Sequence, residues 1–231
     1  VVINGRSHES VDQAIATLSN KTPTANLTGF AADLSTAEGC QSIIDAVPDL
    51  DILVNNMGMY ETKKFENISD EDWETMFTVN IMSGVRLSRY YLPRLLKKDW
   101  GRIVFISSES GIFIPQEMIH YGFSKAAQLA IARGMSELTA GTNITVNSVL
   151  PGPTWVEMQK VRLGKRAEKT GATVEDMKKQ TFEERRPTSL LQRYATSGEI
   201  ASMIAYICSP ASSATNGAAL RVDGGIVKTP F

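Results

Sequence analysis

Short apolar runs alternate along the chain with longer stretches in which apolar residues recur every three to four positions, and this predicts strand and helix in turn. Val1–Asn4 reads as a strand and about Glu9–Asn20 as a polar helix. Leu27–Ala31 is the next strand, followed by Asp33; Ser35 with Glu38 then forms a capping box for a helix to about Val47. Asp51–Asn55 is a short strand of buried type. Ser69 with Asp72 starts a helix whose apolar period continues to about Lys98. Arg102–Ser107, rich in β-branched residues, is a strand, about His120–Thr139 a helix, and Ile144–Leu150 a strand stopped by Pro151-Gly152-Pro153. About Gly198–Cys208 is helical, and Leu220–Val222 is a last short strand closed by Asp223-Gly224-Gly225. Alternation of this kind predicts one α/β domain, a doubly wound parallel sheet with helices on both faces.

Thr154–Pro187 breaks the rhythm. It is long, charged and weakly helical, with nine Lys or Arg and six Asp or Glu, and Thr173 with Asp176 marks a helix start inside it. A connection of this length in a compact domain is a functional lid or mobile loop, or else a solvated helical insertion. We expect residues 154–190 to act as a substrate-binding lid.

The 231 residues suit one domain, and 42% hydrophobic residues give it a sizeable core. The net charge of -1 lacks the basic footprint of a nucleic-acid binder, and no apolar run reaches the roughly 20 residues of a membrane span. We expect no signal peptide. Cys40 and Cys208 are far apart and fit neither a disulfide framework nor a zinc site, so a reducing compartment such as the cytoplasm is expected.

Tyr121 and Lys125 lie four apart on a predicted helix and share one face. A cationic lysine beside a phenol favours the phenolate and lowers its pKa, which suits a general acid or base acting on a carbonyl or alcohol. Tyr60 and Lys64 have the same spacing but follow a strand, and we expect them to be loop surface. Ser108 lies thirteen residues before Tyr121, at the end of a strand, where parallel α/β sheets bind ligands.

Ser108, Tyr121 and Lys125, with Asn80 in Thr-Val-Asn-Ile, resemble the catalytic pattern of the short-chain dehydrogenase/reductase family. Asn55-Asn56-Met57-Gly58 resembles the family's Asn-Asn-Ala-Gly element, and Asp33-Leu34 the pair that contacts adenine. Pro151-Gly152, with Thr154 just beyond, resembles the turn bordering nicotinamide, and Val222-Asp223-Gly224-Gly225 the closing motif. The resemblance, which runs over nearly the whole chain, implies roles. Tyr121 would be the acid for reduction or the base for oxidation, and Lys125 would tune it and bind ribose. Ser108 would hydrogen-bond the substrate oxygen, and Asn80 would hold a water in a proton relay. Ser108 could instead cap a turn, Asn80 could bond the backbone, and Asn56 and Gly58 could serve the sheet. Asp223 is expected to be structural and His120 to lie at the surface or an interface.

A dinucleotide site of this type marks NAD with a carboxylate near the end of the second strand and NADP with an arginine. Here the corresponding strand ends Asn4-Gly5-Arg6-Ser7, so Arg6 predicts NADP(H). The chain starts at the family's second strand, and the Gly-rich strand–turn–helix is absent. We expect an intact protein with such a segment before Val1; the alternative is a truncation with a rearranged sheet. Met57 stands where the family has Ala, and Leu150 where Asn is common. The resemblance implies reduction of a ketone or aldehyde, with a 3-oxoacyl thioester on acyl carrier protein as one candidate. Rival readings are an idle oligomeric scaffold and an NAD-dependent alcohol dehydrogenase. Relatives assemble through the two long helices, which here carry surplus apolar residues: Met76, Phe77, Met82, Leu87, Leu92, Leu95, Leu129, Ile131, Met135 and Leu138. A homotetramer is expected, or failing that a homodimer.

Overall fold

The computed structural model describes residues 1–230. Strand β1 (Val2–Gly5) leads to helix α1 (His8–Lys21), β2 (Thr28–Ala31), α2 (Ala37–Ala46) and β3 (Ile52–Asn55). Helix α3 (Asp70–Met76) runs through a π-helical stretch, Phe77–Met82, into α4 (Ser83–Lys98). Then come β4 (Gly101–Ile106), α5 (Ile119–Glu137), β5 (Ile144–Pro151), β6 (Thr154–Trp155), α6 (Glu157–Thr170) and α7 (Val174–Gln180). Strand β7 (Ala195–Thr196), α8 (Ser197–Cys208) and β8 (Ala219–Val222) complete the order. The chain is an α/β domain with parallel strands flanked by helices.

All strand pairings are parallel. Strands β3-β4-β5-β8 form one sheet, β1-β2 a second and β6-β7 a third. Among the described residues, no strand pairs with the second side of β1 or of β3, and Val2, Ile52 and Val54 are exposed there.

Strand β4 is buried throughout, and its alternation divides the core. Ile103 and Phe105 point into one cluster with Leu87, Leu92, Leu95 and Val146. Val104 and Ile106 point the other way, to Val149 and to Ile207 of α8. Met76, Leu87, Leu92 and Leu95 are thus buried rather than surplus surface, whereas Phe77 and Leu138 are exposed. His120, expected at the surface or an interface, is not on the surface of the chain: it is fully buried and meets Trp73 edge-on. It faces inward because α5 turns this side toward α3.

The capping boxes at Ser69/Asp72 and Thr173/Asp176 are present. At α2 the cap is Thr36 rather than Ser35, because Asp33 captures both the Ser35 N–H and hydroxyl. The segment after β5 forms two helices around a small core of its own, Leu163, Met177, Phe182 and Tyr194.

Candidate active site

The carboxyl ends of parallel strands carry the predicted residues: Arg6 after β1, Asp33 and Leu34 after β2, Asn56 and Gly58 after β3, Ser108 after β4, and Pro151, Gly152 and Thr154 at and beyond the end of β5. Ligands bind at this edge of an open parallel sheet. A cavity of about 220 Å³ opens there, with Ser108, Tyr121, Gly152 and Thr154 in its wall.

Ser108 caps the short 3₁₀ turn Glu109–Gly111. Its Oγ accepts the Ser110 N–H at 3.1 Å and donates to Glu109 Oε2 at 2.5 Å. Tyr121 sits in the first turn of α5 with Lys125 one turn on. The Lys125 Nζ donates to the Ile106 carbonyl at 2.9 Å and to Gln128 Oε1 at 3.2 Å, and lies 5.7 Å from the Tyr121 ring centre. Lys125 does not lower the Tyr121 phenol, contrary to the expectation from their spacing. Desolvation pushes Tyr121 up to about 12, against a hydrogen bond to Ser108 that lowers it. Burial pulls Lys125 down to about 8. The ammonium is turned toward the main chain of β4, so burial outweighs charge at the phenol.

Asn80 lies in the π-helical stretch and is fully buried. Its Oδ1 accepts the Met59 N–H at 2.8 Å, and its Nδ2 donates to the Met59 carbonyl at 2.9 Å and Ser124 Oγ at 2.8 Å. Its side chain therefore ties the loop after β3 to α5, the backbone-bonding alternative of the sequence reading. π-stretches inside α-helices recur at functional sites.

Around the cofactor positions, Arg6 is exposed and forms no ion pair among the described residues. Hydrogen bonds from Ser35 hold the Asp33 carboxyl below its usual range, and the Arg6 charge adds to this. The Leu34 side chain is in the core, so only its main chain can face a ligand. A Cβ on Gly58 would come within 3.3 Å of Lys125 Nζ and 3.5 Å of Asn80 Oδ1, and one on Gly152 within 2.7 Å of the Asp223 carbonyl oxygen. Both glycines let main chain approach closely. Thr154 Oγ1 donates to the Gly152 carbonyl at 2.9 Å and stiffens that turn. Asp223 accepts the Gly225 and Val227 N–H groups, the structural role expected of it.

The positions fit a dinucleotide. Lys125 is a buried ammonium with three N–H donors and only two partners, leaving one for a ribose hydroxyl. Arg6 is an exposed guanidinium-bearing residue just beyond the carboxyl end of β1. Among the described residues, no cluster of His, Cys, Asp or Glu could hold a metal, and no helix is long and apolar enough to cross a membrane.

Three residues of the cavity were missed. Tyr60, expected on the surface, stands edge-on to Tyr121 with ring centres 6.2 Å apart and takes a hydrogen bond from Gln159 of α6; Lys64 is exposed. Its loop returns over α5, and no local spacing signals that return. Glu109 is almost fully buried, and Arg186 reaches it from the charged segment. The only hint of Glu109 was its place next to Ser108.

A family model described as enoyl-(acyl carrier protein) reductase matches residues 1–227. An uncharacterized oxidoreductase of Bacillus subtilis, YvaG, is 46% identical over 231 residues, spanning 100% of this chain and 88% of the relative. A 3-oxoacyl-[acyl-carrier-protein] reductase of Aquifex aeolicus is 28% identical over 230 residues, 98% of this chain and 86% of the relative. L-sorbose reductase from Gluconobacter frateurii, solved with NADPH and L-sorbose, shares the fold: the TM-score is 0.91 at 24% identity, over 99% of this chain and 87% of that one.

Proposed function

The chain belongs to the short-chain dehydrogenase/reductase family, and on that premise we propose that it is an NADPH-dependent reductase of ketones or aldehydes. The supporting observation is the meeting of Ser108 and Tyr121 at one cavity beyond the end of β4, with Lys125 directly behind Tyr121. Bound NADPH would supply the hydride. The chain's residues would orient it and handle the proton. With its pKa near 12, Tyr121 keeps its proton at neutral pH, the state a general acid needs. Ser108 would donate to the carbonyl oxygen as charge develops on it. Lys125 and the Gly152–Thr154 turn would hold the nicotinamide half, Asp33 and the Leu34 main chain the adenine half, and Arg6 a 2′-phosphate. Residues 154–190 would close the cavity as a lid. A 3-oxoacyl thioester remains within this class, supported by the likeness to the Aquifex aeolicus reductase. The working unit would be a homotetramer.

The test is NADPH oxidation with a panel of ketones, aldehydes and 3-oxoacyl thioesters. Tyr121→Phe is expected to cut the rate with every accepted substrate by about a hundredfold or more. A rate that survives this change refutes the role of Tyr121.

A further inference from the structure

The one hydroxyl hydrogen of Ser108 is taken. A carboxylate only accepts, so the single Ser108 hydrogen belongs to Glu109 Oε2, 2.5 Å away. One lone pair receives the Ser110 N–H at 3.1 Å. In this state Ser108 has no hydrogen to offer a substrate carbonyl. Turning it toward substrate strands a carboxylate oxygen on a residue 4% exposed. Such a loss needs a replacement donor.

One donor stands ready. Arg186 lies just beyond α7 in the 154–190 segment, with its side chain 11% exposed and its Nε 3.4 Å from the other Glu109 oxygen. Its Nη1 serves the Arg185 carbonyl, and further N–H groups remain. A small approach would make the contact two-pronged, the geometry in which guanidinium binds carboxylate best.

We propose that Glu109 and Arg186 are positioning residues that couple the 154–190 segment to the catalytic serine: Glu109 holds the Ser108 hydroxyl in a resting orientation, and Arg186 releases it by taking over both Glu109 oxygens. The proposal rests on the reading above, in which Ser108 and Tyr121 act on the ligand oxygen. It makes closure of the segment the step that arms the site, and it gives Arg186 a role without contact to substrate.

The test is a double-mutant cycle. Arg186→Gln removes the release and is expected to lower kcat/KM for reduction about tenfold. Glu109→Gln, of equal shape, weakens the hold and is expected to raise kcat/KM about threefold. In the double variant the loss from Arg186→Gln disappears. If the Arg186→Gln loss persists undiminished beside Glu109→Gln, Arg186 acts on substrate or fold directly and the proposal is overturned. A second readout needs neither cofactor nor substrate. The Tyr121 phenol is titrated by absorbance, as the difference from protein carrying Tyr121→Phe. Glu109→Gln removes a negative charge that raises this phenol and frees the Ser108 hydrogen to donate to the phenolate, so the midpoint falls from about 12. An unmoved midpoint overturns the proposal. A moved midpoint in a chain inactive on every carbonyl tested upholds the hold of Glu109 on the Ser108–Tyr121 pair and sinks only the reductase reading.

Discussion

Burial leaves the Lys125 ammonium with the Ile106 carbonyl and the Gln128 side chain as its partners and pulls it down to about 8, against 10.5 for the ordinary side chain. The sign of the stability effect follows. Below pH 8 the lysine is charged in folded and unfolded chains alike, and the folded chain bears the cost of desolvating it. Between 8 and 10.5 the unfolded chain binds more protons, so the folded state gains as pH rises. Lys125→Met is therefore expected to stabilise the fold by about 2 kcal/mol at pH 7, with the two lost hydrogen bonds offsetting part of the gain. That advantage shrinks as pH rises through the window, while activity is lost. Urea unfolding at pH 7 and pH 10 checks both statements; a pH-independent difference refutes the charge argument. Arg6 makes a separate prediction. Arg6 is exposed at the end of β1 and unpaired among the described residues, so Arg6→Asp should raise the KM for NADPH by about tenfold or more and affect NADH far less. Equal effects on both nucleotides would remove Arg6 from phosphate recognition.

The loop after β3 hangs on one side chain, since Asn80 makes two hydrogen bonds to Met59 and one to Ser124 of α5. Asn80→Ala leaves the Met59 N–H and carbonyl without partners and is expected to cost about 3 kcal/mol in thermal or denaturant unfolding. It should also expose residues 56–64 to protease, and a loss below about 1 kcal/mol would show that the π-helical stretch holds the loop unaided. Elements with local causes were legible in the sequence. The Ser69/Asp72 and Thr173/Asp176 boxes mark helix starts through contacts three residues apart. The apolar run of β4 marks a strand buried on both faces. What failed depended on distant partners. A π-turn around Asn80 leaves no periodic trace, and Tyr60 reaches Tyr121 only because α5 lies beneath its loop. Spacing placed Tyr121 and Lys125 on one face, yet it could not tell that Lys125 would turn toward Ile106 or that Glu109 would take the Ser108 hydrogen.

At the scale of the whole molecule, the two long helices carry an apolar surface that the core does not use. Trp73 of α3 meets Phe123 of α5 edge-on at 5.6 Å, and Phe77, one turn beyond Trp73, is also exposed. Leu138, just past α5, is 64% exposed. Phe77 and Phe123 are close to half exposed, which is unfavourable for side chains of this size in water and suits an interface between copies of the chain. Both helices also carry the site, α5 through Tyr121 and Lys125 and the α3–α4 run through Asn80, so an interface on this face would stiffen the catalytic geometry from outside. Closed two-fold contacts through this face would give a dimer, and a second set would give the tetramer that we propose. Light scattering should give the mass of four chains. Phe77→Glu with Phe123→Glu should lower it by placing carboxylates in a desolvated contact, and with it the thermal midpoint and kcat. A monomeric mass for the unaltered chain would refute assembly, and an unaltered mass in the double variant would place the interface on another face.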